Sequence, residues 1–260
     1  MASLRLPAAS ELASALLLSL VALALVLYAL AMIVARRRGR AWGLAPTLSF
    51  ALGATLVIVA MSPPLVARAH HDLRAHMLQH LLLGMLGPIG LALGAPITLA
   101  LRALPHDAAR ALARLLHTAP LRALASPFVA LALNVGGMAA LYATPLYAAM
   151  HTSPSLHVLV HLHFLLAGTL FSWSIAGRDR VHRASHGVRL AALFVSAAAH
   201  ATLSKAMYAY GWPLGTHHAL AEIRSAAELM YYGGDLAEIV LAIALFATWP
   251  WAPRLVRRPV

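Results

Sequence analysis

The sequence predicts an all-α fold, a polytopic membrane helix bundle of seven transmembrane helices with the N-terminus outside and the C-terminus cytoplasmic. Three observations carry this. The 260 residues are 61% hydrophobic and 11% charged, with a mean hydropathy of +0.77, a balance too apolar for a soluble domain. Seven apolar stretches are long enough to cross a hydrocarbon layer. The basic residues also divide unevenly between the loops that alternate across those stretches.

Taken in order, the first span is expected over 12–34. It is longer than the apolar core of a secretory signal and has no small-residue cleavage site. It runs straight into Arg36-Arg37-Arg38-Gly39-Arg40, a stop-transfer flank, so it reads as a helix of the mature protein. The second, 47–66, ends in Ser62-Pro63-Pro64. The third, 77–95, carries Gly84, Gly87-Pro88, Gly90 and Gly94-Ala95-Pro96, where small residues allow close helix approach and proline loosens the backbone ladder. The loop that follows starts with Pro105-His106-Asp107 and continues AARALARLLH. This reads as a short amphipathic helix on the inner membrane surface, with Leu112, Leu115 and Leu116 on one face. The remaining spans are expected over 127–148, 156–176, 188–208 and 229–249. No repeat, low-complexity linker or soluble segment interrupts them, so 1–260 reads as a single seven-helix transmembrane domain.

The net charge of +12 follows this topology. Arg36, Arg37, Arg38 and Arg40, then Arg102, Arg110, Arg114 and Arg122, then Arg178, Arg180, Arg183 and Arg189, and finally Arg254, Arg257 and Arg258 share one side. The other side holds Arg5, Arg68, Arg74, Lys205 and Arg224. The positive-inside rule makes the richer side cytoplasmic, and anchoring on an anionic lipid bilayer accounts for the charge with no nucleic acid partner. There is no cysteine, so thiolate metal sites, disulfides and cysteine nucleophiles are excluded.

Eleven of the fifteen histidines then fall on the outer face: His70, His71, His76, His80, His151, His157, His161, His163, His200, His217 and His218. Asp72, Glu222, Asp235 and Glu238 lie on that side too. His106, His117, His182 and His186 lie in inner, Arg-rich segments and read as solvated interfacial residues. His76 with His80, and His157 with His161, are i,i+4 pairs that stack two imidazoles on one helix face, each a two-nitrogen arm for a metal. At ~1.5 Å per residue, His80 and His161 lie within about two turns of the outer boundary, and His200, Asp235 and Glu238 roughly 9–15 Å inside it. Ionisable groups inside a span are costly and turn toward the bundle interior, so His76, His80, His157, His161, His200, Asp235 and Glu238 form the candidate metal site. A metal, a protonated histidine, Lys205 or their own protonation would offset the two carboxylates. His163, about 200° from His161 on an ideal helix, suits a bond to a neighbouring helix or a headgroup. His70, His71, His151, His217 and His218 read as solvated loop residues, with a mobile metal relay as the sharper alternative. Met77, Met85, Met207 and Met230 are expected near this layer. Imidazole with thioether suits copper; imidazole with carboxylate suits zinc or iron.

Four stretches resemble a known family: HMLQHLLLGMLGPIGLALGAPITLALRALP at 76–105, LHVLVHLHFLLAGTLFSW at 156–173, AHATLSKAMYA at 199–209 and ELMYYGGDLAEIVLA at 228–242. They are similar to the cytochrome c oxidase assembly proteins of the Bacillus CtaG type, seven-helix proteins of the bacterial plasma membrane. The resemblance implies a non-enzymatic role in assembling the oxidase, with cytochrome c oxidase subunits as partners and copper as the cofactor handled. His76, His80, His157, His161, His200, Asp235 and Glu238 occupy that family's polar motif positions. Two other functions compete: an intramembrane zinc-dependent hydrolase in which Asp235 or Glu238 activates water, and a haem protein with histidines as axial ligands.

Overall fold

The computed structural model describes residues 6–179, 183–216 and 218–248, with side chains from residue 14 onward. Arg5, Arg180, His182, His217, Arg254, Arg257 and Arg258 lie outside the described residues. Of the described residues 84% are helical, and none is in a strand. In chain order the helices are α1 (Leu6–Arg37), α2 (Leu44–Ala60), α3 (Pro63–Ala69), α4 (Leu73–Leu81), a π-turn (Leu82–Leu86), α5 (Gly87–Leu93), α6 (Pro96–Ala103), α7 (His106–Leu116), α8 (Ala119–Leu124), α9 (Pro127–Ala143), α10 (Leu146–Thr152), α11 (Pro154–Ala176), α12 (His186–Tyr210) and α13 (Leu220–Ala247).

Five helical stretches among the described residues are individually long and apolar enough to cross a membrane, and two bent pairs raise the number to as many as seven. Each bend falls at proline, whose missing N–H breaks the ladder. Pro63 opens α3 at 52° to α2, and Pro145 precedes α10, which turns 79° from α9. Each of the seven expected spans coincides with a helix or a bent pair. The last begins at Leu220 rather than 229, because Glu222, Arg224 and Glu228 sit on helical turns that extend past the apolar stretch. The helix expected after Pro105 is α7.

The stretch Leu73–Ala103 and α11 form the centre, each 56% buried in its apolar window, whereas α1 is 17% buried and lies at the periphery. Close packing there depends on glycine. A Cβ on Gly168 of α11 would collide with the Gly84 carbonyl of the π-turn, and one on Gly53 of α2 would collide with the α5 backbone. Asp72 caps α4 by accepting from the backbone N–H groups of Arg74 (2.8 Å) and Ala75 (3.3 Å), which sets the phase of the histidine-bearing turns that follow.

Among the described residues, two of the four apolar clusters of the core flank the polar layer. One packs Leu73, Met77, Met138, Tyr142, Tyr147, Met150, Phe164, Met207 and Met230 around the histidines. The other, aliphatic apart from Phe171, joins Ile89, Leu131, Ile175, Leu193 and Leu245 toward the arginine-bearing end.

Candidate metal centre

His76 and His80 occupy successive turns of α4, on the face that also buries Leu73 and Met77, and are 5% and 6% exposed. On α11, His157 and His161 stack with ring centroids 4.3 Å apart and planes 27° apart. Ser153, which accepts from the Leu156 N–H, caps that helix one turn before His157. His76, Gln79, His80 and His161 share the lining of a cavity of about 10 Å³ with Leu83, Val160 and Phe164. That is room for about one water molecule or one bare ion.

Its hydrogen bonding is incomplete in an informative way. His161 donates its Nδ1–H to the His157 carbonyl at 2.9 Å. The neutral ring therefore carries a lone pair on Nε2. That nitrogen lies 3.4 Å from Oε1 of Gln79, whose amide is oriented by Nε2 donating to the Ala60 carbonyl at 2.9 Å. Two acceptors thus face each other at the cavity wall, and a cation or a donating water between them would satisfy both. His76 Nε2 and the Tyr142 hydroxyl form a hydrogen bond of 3.3 Å. Neither ring nitrogen of His80 has a partner.

Deeper in, His200 on α12 is 1% exposed and neither of its ring nitrogens has a partner. Its imidazole lies against Gly234 of α13, where any Cβ would collide with the ring. One turn on, Glu238 is 7% exposed with Oε1 unpartnered. It lines a separate cavity of about 20 Å³ with Asn134, Ser172, Ser196, Met85 and Gly84. Asp235 is only half-buried. Lys205 does not pair with either carboxylate; it is exposed and sits over the Tyr231 ring at 5.3 Å. His163 turns away from His161 and donates Nε2–H to the Leu133 carbonyl of α9 at 3.1 Å. Met77, Met207 and Met230 are fully buried in the adjoining cluster.

The candidate residues thus line one stretch of the bundle without gathering on a point. Among the described residues, no group of three or more His, Asp or Glu side chains is placed to hold a metal ion. What is present is a set of buried nitrogens and one carboxylate oxygen with unused valence. Buried polar atoms are satisfied in the great majority of native positions, so these orphans suit a ligand or an ion. The donor types, imidazole with a nearby amide oxygen, fit copper or zinc.

Beyond the residues read from sequence, the structure adds Gln79, Tyr142 and Tyr147, and it partly buries His70 and His151, expected as loop residues. Gln79 stands inside the HMLQH motif, where a polar amide in an apolar run was its available signal. At the mouth, His70 caps α3 and stacks on His157 (5.3 Å, 17°), with His151 edge-on to it (5.6 Å, 72°). Burial and the neighbouring His71 lower the His70 pKa below the usual 6.5, which keeps that ring neutral at neutral pH. Tyr147 lies under both tiers, 5.0 Å from His76 and 4.8 Å from His151. At the rim, Glu222 accepts from the Leu73 N–H at 2.8 Å and pairs with His218 at 2.9 Å.

An uncharacterized protein of Mycobacterium bovis is 32% identical over 159 residues, 58% of this chain and 24% of that protein; one of Mycobacterium tuberculosis matches equally. One of Mycobacterium leprae is 28% identical over 236 residues, 82% of this chain and 35% of its own length. The chain therefore spans about a quarter to a third of the curated relatives it matches. No solved structure matches. The family described as cytochrome c oxidase caa3 assembly factor (Caa3_CtaG) matches residues 26–250, nearly the whole chain, and the protein belongs to that family.

Proposed function

We propose that this multi-pass membrane protein takes copper into its histidine-lined interior and aids its delivery to cytochrome c oxidase. The metal is cargo rather than a resident cofactor. In this reading the spans number seven, the N-terminus is outside, the C-terminus is cytoplasmic and the histidine end faces away from the cytoplasm. His76, His80, His157, His161 and His200 supply nitrogen ligands. Asp235 and Glu238 balance charge.

One observation carries the reading. The lone pair of His161 Nε2 confronts Gln79 Oε1 across the wall of a cavity sized for one ion, with His80 beside it holding two unused nitrogens. Copper(I) is satisfied by fewer and softer ligands than zinc, and a carrier must release what it binds. A sparse imidazole set with no thiolate suits exchange outside the cytosol. Zinc hydrolysis requires three ligands on one ion beside a water-activating carboxylate, a convergence absent among the described residues. A haem needs a pocket of roughly 300–1,000 Å³, the range for organic ligands, against about 10 and 20 Å³ beside these histidines.

The test is elemental analysis of purified protein after anaerobic loading with copper(I), wild type against a His80→Ala, His161→Ala double variant. More copper retained by wild type than by the double variant is expected. Equal retention by both, or a wild type that takes up zinc or shows a Soret band in place of copper, would overturn the reading.

A further inference from the structure

Three histidines at the mouth, His70, His151 and His157, come from three different elements: the cap of α3, helix α10 and helix α11. Their rings meet, with centroids 5.6 Å apart for His70 and His151 and 5.3 Å for His70 and His157. Nε2 of His70 and Nε2 of His151 are both buried and have no hydrogen-bond partner. A loop histidine that only faced solvent would bond to water instead; here two such nitrogens have been withdrawn from it together.

We propose that His70 and His151 form a separate two-imidazole capture site for copper(I) at the mouth, from which the ion passes through His157 and His161 to the interior. The proposal rests on the copper reading above and adds a second station to it. Two imidazoles on opposite sides of one ion, at metal–nitrogen bonds of ~2 Å, place their ring centres on the order of 6 Å apart. The observed 5.6 Å is close to that span. Copper(I), a soft d10 ion, is stable with two nitrogen ligands in line, whereas zinc demands four ligands in a tetrahedron. A two-imidazole site therefore suits copper(I) better than zinc. No redox step is involved: the ion arrives and leaves as copper(I), one imidazole replacing another.

The geometry also supplies an onward path. His157 stacks on His70 at 5.3 Å and on His161 at 4.3 Å, so each exchange spans neighbouring rings. Glu222, held at the rim by the Leu73 N–H and His218, places a carboxylate beside the mouth that draws a cation in. The helix bends at Pro63 and Pro145 bring this about, because each turns a short helix across the bundle end and carries one of the two histidines with it.

The experiment presents copper(I) as its bicinchoninate complex to the purified full chain under anaerobic conditions. It measures bound copper by mass spectrometry, the rate of loss of the complex colour, and the nitrogen shell by X-ray absorption. Wild type is expected to hold about two copper ions, and a His70→Gln, His151→Gln double variant about one, taken up on the order of tenfold more slowly. The interior variant His80→Ala, His161→Ala is expected to keep one copper with two nitrogen neighbours. Wild-type stoichiometry and uptake rate in the mouth variant would overturn the capture site and leave the interior reading standing. A wild type that binds no copper would overturn both. Circular dichroism of each variant separates these results from misfolding, and single Gln substitutions repeat the test if a double variant fails to fold.

Discussion

The two ends of this bundle bury polar side chains in opposite ways. At the arginine-bearing end, Asp179 is 2% exposed, yet it accepts from Thr98 N–H (2.6 Å), Thr98 Oγ1 (2.5 Å) and Trp173 Nε1 (3.0 Å). Arg189, 1% exposed, donates to the Ile175 carbonyl (2.5 Å) and to Thr248 (3.3 Å), leaving only Nη1 over. These bonds tie α6, α11, α12 and the end of α13 together. At the histidine end, His80, His200 and Glu238 are buried as deeply and hold five unpartnered atoms among them. Burial is therefore no guide to purpose here: the satisfied groups fasten helices, and the unsatisfied ones are held ready for something absent from the fold itself.

Four experiments break or sharpen this contrast. Asp179→Ala should have the largest effect, since it strands three partly buried donors; a loss of about 3 kcal/mol follows from the lower end of ~1–3 kcal/mol per unsatisfied group. Thermal unfolding of the purified protein reads it, and copper binding below the transition should be unchanged. Gly168→Ala comes next, because the new methyl strikes the Gly84 carbonyl and presses on Pro88. Overpacking of this kind costs about 1–3 kcal/mol, and equal stability would show that the two central helices are not in close registry.

Tyr142→Phe removes the hydroxyl bonded to His76 while keeping the ring. Loss of such an orienting partner should weaken copper binding on the order of tenfold with little change in melting temperature. A competition titration measures it; an unchanged affinity would detach His76 from the metal path. His200→Leu should be the mildest in stability. It replaces an unpartnered imidazole by an apolar group of similar size, so the stability should stay within about 1 kcal/mol of wild type or rise. A large destabilisation there would mean that the histidine end is fastened like the arginine end.

Much of this architecture was legible before any coordinates. Apolar length located the helices and bent pairs long enough to cross a membrane, and Pro63 and Pro145 lie at the two bends, because hydropathy and a missing N–H are local properties. The layer containing His76, His80, His157 and His161 was likewise legible, since i,i+4 spacing fixes a shared helix face. The partners of those histidines were not. Gln79 faces His161 of α11, Tyr142 reaches His76 from α9, and Lys205 turns to Tyr231 rather than to Glu238. Each depends on how one helix is rotated against another, which a single chain's periodicity does not encode. His70 and His151 read as solvated, with a metal relay as the alternative, because proline marks where a helix bends but not which way the short helix then turns.

The π-turn at Leu82–Leu86 lies directly after His80 and before the glycines that dock α5 on α2. Such a turn holds one surplus residue relative to an α-helix, and each residue of an α-helix advances the azimuth by about 100°. The surplus residue is thus taken up in one wide turn, and the half-helices on either side keep the relative aim of an unbroken helix. Deleting any one of those five should let the stretch close as plain α-helix, leaving imidazoles and glycine knuckle both seated while the widened carbonyl of Gly84 withdraws from Gly168.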